Sequence, residues 1–222
     1  MAENNIEQAR FNMVEQQIRP WDVLDAQVLQ TFTEVQREAF VPEAYRNVAF
    51  ADVEIPLDHG EQMMKPVVEA RMLQALAVKS TDRILEIGTG SGFITACLAA
   101  LGSQVISLDT RADFTEQAQA RLKAQGVYNA TVKTGDALVN PAENGSFDII
   151  TVTGSIPCKE TIESLQAQLH DGGRMFVVTG EAPVMQACLI TRTGAKQWTQ
   201  EALFETELLP LSTAPATAAF TF

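Results

Sequence analysis

Residues 83–93, Arg83-Ile84-Leu85-Glu86-Ile87-Gly88-Thr89-Gly90-Ser91-Gly92-Phe93, constrain this chain more than any other stretch. A short apolar strand with one acid runs into three glycines at alternate positions, and a helical pattern follows at once. That sequence of events builds the crevice of an open α/β sheet. Without Cβ atoms, backbone N–H groups and a helix N-terminus approach a ligand that side chains would block. A dinucleotide fingerprint would place its third glycine at position 93, which is Phe93; here it falls at Gly92. Glu86, two residues ahead of the first glycine, suits a ligand with a positive group better than a pyrophosphate.

At 222 residues, 46% hydrophobic, the chain is long enough for a self-sufficient core. We expect a helical and loop subdomain over residues 1–79 ahead of a main domain over 80–222. With 16 basic against 28 acidic residues the net charge is −12, which repels phosphate backbones and anionic lipid. Nucleic acid and membrane are therefore not expected as partners. Cys97, Cys158 and Cys188 are widely spaced with no CxxC, and there are two histidines, so no disulfide framework or metal site is expected. The start, Met-Ala-Glu-Asn-Asn, is polar, and no run approaches the ~20 apolar residues of a membrane span. These features point to a cytoplasmic protein with reduced thiols.

Phe11, Val14 and Ile18 recur at helical spacing before Pro20. Asp25 is placed to cap a second helix carrying Val28, Leu29, Phe32 and Val35 on one face. Residues 40–65 show no period and read as an ordered loop. Pro66 begins a helix with Val68, Met72, Ala75 and Leu76 on one side. From residue 80, strands and helices alternate: strand 83–87, helix 92–101, strand 104–109, helix 113–125, strand 130–134, strand 147–152, helix 159–169 and strand 174–179. Two more strands are expected over 185–193 and 198–209, with a turn at Thr193-Gly194. This predicts an α/β fold. A Rossmann-like, mostly parallel sheet has helices on both faces, antiparallel C-terminal strands and an N-terminal helical subdomain. The apolar tail from Thr213 to Phe222 is read as a last strand or a packed arm.

Ligands of such sheets lie off the carboxyl ends of the strands. Three successive strand ends carry acids. Glu86 is placed to hold an ammonium group. Asp109, 21 residues beyond Gly88, is placed to accept from ribose hydroxyls, and Asp136, after Gly135, to reach an adenine amino group. Together with the loop residues Gly88, Thr89, Gly90, Ser91 and Gly92 they describe a nucleoside site. S-adenosylmethionine, with its amino group and sulfonium, fits it. Elsewhere, His59 reads as a local hydrogen-bonding residue, His170 as a cation complementing a helix C-terminus, and Cys158 as a rim thiol. Met72 reads as core filling, whereas Met63 and Met64 are placed to line an acceptor surface.

Residues 38–157 resemble the protein-L-isoaspartate O-methyltransferases. The matching stretches are Phe40-Val41-Pro42, Ile55-Pro56-Leu57-Asp58-His59-Gly60, Pro66-Val67-Val68-Glu69-Ala70-Arg71-Met72 and Leu85 to Phe93, followed by Gly135-Asp136 and Asp148 to Thr153. The resemblance implies a Rossmann-like fold that binds S-adenosylmethionine and methylates the carboxylate of an isoaspartyl residue in a damaged protein or peptide. One departure stands out. Family members usually carry Thr-Ile-Ser between Gly60 and Pro66, their hydroxyls facing the acceptor, and this chain has Glu61-Gln62-Met63-Met64-Lys65. Gln62 and Met64 take the hydroxyl positions, and Lys65 offers a compensating charge. The cofactor half of the site is intact and the acceptor half rewritten. That implies either altered acceptor choice or a homologue that binds the cofactor in a non-catalytic, sensing role. Ser155 and Thr153 are candidate replacements for the lost hydroxyls. A nicotinamide dehydrogenase is the weaker reading, given Phe93 in the third-glycine position.

Overall fold

The computed structural model describes residues 3–139 and 146–215. Its centre is a seven-stranded sheet in the order β5-β4-β3-β6-β7-β8-β9. The strands are β3 (Arg83–Ile87), β4 (Gln104–Asp109), β5 (Ala130–Thr134), β6 (Phe147–Ser155), β7 (Leu169–Glu181), β8 (Val184–Gly194) and β9 (Gln197–Glu205). The first five pair in parallel, and β8 and β9 extend the sheet as antiparallel hairpins. Chain order reverses on either side of β3, so its carboxyl end opens a crevice, the position where ligands bind in open α/β sheets.

Alternation along the central strands divides the apolar residues between two clusters. Ile84 and Ile149 join one cluster, and their neighbours Leu85 and Ile150 join the other. The first cluster also takes in Met13, Val14 and Ile18, which follow helix α1 (Glu3–Asn12), and helices α2 (Ala26–Glu34), α3 (Pro66–Leu76) and α4 (Phe93–Leu101). Phe32 and Phe40 both pack edge-on against Phe93, the first residue of α4. The segment from Met13 to Val78 therefore shares a core with the sheet. The remaining helices are α5 (Ala112–Ala124) and α6 (Lys159–Gln166), the latter packed in the second cluster through Ile162 and Leu165.

Asp25 caps α2 as expected, accepting from the Gln27 and Val28 amides, and Pro66 starts α3. Four expectations need correction. Residues Met13–Ile18 form a π-helical segment, whose wider turn breaks the 3.6-residue period, so Met13 rather than Phe11 is buried beside Val14 and Ile18. The loop over 40–65 contains a two-strand ribbon, β1 (Ile55–Pro56) with β2 (Gln62–Met63), that presents the segment ahead of α3. Helix α6 stops at Gln166 and β7 begins at Leu169, so His170 lies on a strand and complements no helix terminus; the neighbouring Asp171 pairs with Arg192. The last strand ends at Glu205 rather than at 209, and residues 206–213 form an irregular strap. Of the tail read as an arm, residues 216–222 lie outside the described residues. No helix among the described residues is long and apolar enough to cross a membrane.

Candidate active site

The glycine loop leaves β3 and enters α4 with all three glycines at positive φ: +96° at Gly88, +48° at Gly90 and +87° at Gly92. An added Cβ at Gly88 would collide with the Thr153 hydroxyl, and one at Gly92 would lie 3.0 Å from Ala118 Cβ. Two bonds fix the turn to β4: Gly88 N donates to Leu108 O at 2.8 Å and Gly90 N to Asp109 Oδ2 at 2.9 Å. Thr89 and Ser91 are buried: the Thr89 hydroxyl bonds Ser107, and Ser91 Oγ accepts from the Phe93 amide. They shape the loop from behind.

Asp109 and Asp136 line the cleft above this loop, together with Ile87, Leu108, Phe114 and Gly135. The second Asp109 oxygen accepts from the Arg111 amide, and Asp136 accepts from the Leu138 amide, so both carboxylates are oriented by backbone turns. Glu86 behaves differently. It is fully buried under the loop and does not line the cleft; one oxygen accepts from Thr95 and the other has no hydrogen-bond partner among the described residues. Desolvation pushes its carboxyl up to about 8, against the pull of the Ser107 and Thr95 hydroxyls. The expected contact with an ammonium group is not available to Glu86 from this position, because strand alternation turns it towards α4.

The opposite wall comes from the ribbon ahead of α3. Gln62 and Met64 line the same cleft, Met64 almost fully buried. Lys65 does not line it: its ammonium lies 3.5 Å from Glu54 and faces an outer groove. Met63 is buried and lines an adjoining cavity under the glycine loop. The Met64 carbonyl accepts from Arg37 Nη2 at 2.9 Å, and the same fully buried guanidinium donates to Ala49 O, pairs with Glu69 and stacks 4.7 Å over Phe93. Neither candidate replacement hydroxyl is free for an acceptor. Thr153 donates to the Gly88 carbonyl and Ser155 to the Leu208 carbonyl.

Sequence reading missed two contributors. Glu61 lines the cleft, and burial, with the Asp109 charge next in weight, pushes its carboxyl above the ordinary value. The strap 206–213 crosses the mouth, held where Ser155 N donates to Leu209 O and Leu211 N to Ser155 O; a Cβ on Gly88 would stand 3.3 Å from Leu211. Glu61 adjoins Gln62 in the run already singled out, but the strap reaches the cleft from a distant segment that no local pattern marks. His59 bonds Asp113 at 2.8 Å, Cys158 donates to Glu160, and Met72 is core, its sulfur accepting from Thr151. No group of acids, cysteines and histidines able to hold a metal occurs among the described residues.

Glu61 and Asp109 repel one another, and with Asp136 they line the cleft beside the glycine cradle, so this set of acceptors fits a positively charged nucleoside. Comparison with known proteins agrees. The family model for protein-L-isoaspartate(D-aspartate) O-methyltransferase matches residues 8–215. The protein-L-isoaspartate O-methyltransferase of Koribacter versatilis is 33% identical over 202 residues, covering 91% of this chain and 90% of that protein. The one from Methylorubrum extorquens is 34% identical over 214 residues, covering 95% and 91%. A crystal structure from Plasmodium falciparum, assigned to the same enzymes and holding S-adenosyl-L-homocysteine, superposes with a TM-score of 0.77. It is 21% identical, and the match covers 93% of this chain and 97% of that one.

Proposed function

Because this chain belongs to the protein-L-isoaspartate(D-aspartate) O-methyltransferase family, we propose that it methylates an isoaspartyl carboxylate of a damaged protein or peptide through an acceptor wall altered at Gln62 and Met64. It is an S-adenosylmethionine-dependent enzyme. When bound, S-adenosylmethionine supplies an electrophilic methyl on a positively charged sulfur. In this reading residues 80–222 form the cofactor wall. Gly88, Gly90 and Gly92 give it room, Thr89 and Ser91 hold the turn, Asp109 takes the ribose and Asp136 the adenine amino group. Glu61 faces the positive charge, and Glu86 supports the loop from below. Residues 1–79 form the acceptor wall. Reduced Cys97, Cys158 and Cys188 and a net charge of −12 support a cytoplasmic setting and a partner other than nucleic acid.

The observation that carries this reading is that Gln62 and Met64 face the same cleft as Gly88, Gly90, Asp109 and Asp136. A carboxylate acceptor is already charged, so catalysis rests on holding oxygen, methyl and sulfur in line, in a cleft to which Leu209 and Leu211 present apolar surface. Gln62 offers an amide to the acceptor where the family has a hydroxyl. Met64 offers a thioether that solvates a carboxylate poorly.

Labelled S-adenosylmethionine and an isoaspartyl peptide test the proposal. The expected outcome is slow methyl ester formation by the native chain and roughly tenfold faster turnover by Gln62→Thr/Met64→Ser, about 1.4 kcal/mol in the barrier. Cofactor binding without ester from either protein would overturn the isoaspartyl reading.

A further inference from the structure

A chamber of about 490 Å³ opens off the cofactor cleft on the acceptor side, and the two share Gln62, Leu208, Leu209 and Pro210 as a common wall. It is within the size range of ligand pockets. Its inner lining is apolar, with Pro157, Met185 and Leu208. Glu54, Glu181 and Glu207 also line it, and no lysine, arginine or histidine does. Through Glu54 and Glu207 the chamber continues into an outer groove of about 460 Å³ lined by Trp21, Phe204, Lys65 and Arg71. Both cations there are engaged, Lys65 with Glu54 and Arg71 over the Phe204 ring at 3.9 Å.

On the methyltransferase reading above, we propose that this chamber takes the basic neighbour of the methylated residue, so that the preferred acceptor is a polypeptide with lysine or arginine beside its acceptor carboxylate. The chamber fits that side chain in two respects. An aliphatic stem lies against Met185 and Leu208, and the charged head meets the Glu181 and Glu207 end of the chamber, Glu54 being paired with Lys65. An acceptor carboxylate arriving alone meets like charges, a repulsion that grows where water is excluded. A cation one or two residues away replaces that repulsion with attraction. It leaves the carboxylate to the Gln62 end of the chamber. The outer groove gives the rest of an extended chain a path.

A matched set of fluorescent isoaspartyl peptides tests this, with lysine, serine or glutamate flanking the isoaspartyl residue. Binding is read by anisotropy with S-adenosylhomocysteine present. A parallel lysine-flanked peptide carries ordinary aspartate. The lysine peptide should bind about tenfold tighter than the serine peptide and the glutamate peptide weakest, the spread narrowing with salt. Glu181→Gln/Glu207→Gln should retain S-adenosylhomocysteine affinity by calorimetry, which reports its folding, and should lose most of the spread. Equal affinities across the set, no binding by any peptide, or an undiminished spread in that variant would overturn the proposal. Equal binding of the aspartate peptide, with no ester formed on any, would leave the charge preference standing and overturn the isoaspartyl reading instead.

Discussion

Among the described carboxyls, Glu86 is lifted furthest by its surroundings, ahead of Glu69. Unfolded, its carboxyl titrates near 4.5; folded, desolvation lifts it to about 8. Between those values the native state holds a proton that the unfolded state has released, so stability falls as pH rises through that window. Thermal melts of the cofactor-free protein from pH 5 to 8 should show this decline, with each kcal/mol lost moving Tm by roughly 2–4 °C in a chain of this size. Glu86→Gln should reduce the slope, leaving the part due to Glu69, whose carboxyl burial lifts to about 7, and parallel curves for the two proteins would remove the assignment. Above the loop, Gly88→Ala meets both a positive φ and the Thr153 hydroxyl, and Asp109→Asn loses the charge at a cleft-lining position. Each should weaken S-adenosylmethionine binding about tenfold or more by calorimetry. Unchanged affinity in both would refute the cofactor wall. The spacing of the glycines and of Asp109 and Asp136 was legible because two successive βαβ units fix it locally. The direction in which Glu86 points was not, because the Thr95 and Ser107 hydroxyls that receive it come from the next helix and the next strand.

At the scale of elements, Arg37 joins pieces that the sequence presents as separate. Its guanidinium ties the loop ending at Ala49, the acceptor segment at Met64, helix α3 through Glu69, and the start of α4 through Phe93. A fully buried arginine is rare, and its partner lies 32 positions away, so composition and periodicity gave no sign of it. Arg37→Met leaves Glu69 buried without its counter-charge and should cost about 3–5 kcal/mol in chemical denaturation, whereas Arg37→Met/Glu69→Leu should recover much of that loss. Equal midpoints for the single and double variants would show that the pair does not act as a unit. The restored double variant should still turn over slowly, because the Met64 carbonyl has lost its donor. The other elements missed from sequence have the same kind of cause. The π-turn over Met13–Ile18 shifts the face that Phe11, Val14 and Ile18 define, and β7 starts early because its first residues pair with β6 across a bulge.

Across the whole molecule, the cleft is assembled from three distant parts of the chain: the ribbon carrying Gln62 and Met64, the glycine loop with the ends of β4 and β5, and the strap 206–213. The first is N-terminal to the sheet and the last C-terminal to it. The middle part was legible from the glycine spacing and the ribbon only through the family resemblance, whereas nothing in the sequence marked the strap. The strap is bound to β6 through Ser155, whose amide donates to Leu209 O and whose carbonyl accepts from the Leu211 amide, while Ser212 bonds Thr110 at 3.2 Å beside Asp109. A ligand touching all three parts stabilises them together, since whatever binds only the assembled form opposes every local opening that separates it. Saturating S-adenosylhomocysteine should therefore slow amide exchange in residues 57–64 and 209–213 as well as in 88–92. The Leu211 amide is the most telling probe, because it opens only when the strap leaves β6. Protection confined to the glycine loop would mean that the strap and the acceptor ribbon move independently of the cofactor. Protection of all three would show that cofactor binding also assembles the acceptor wall.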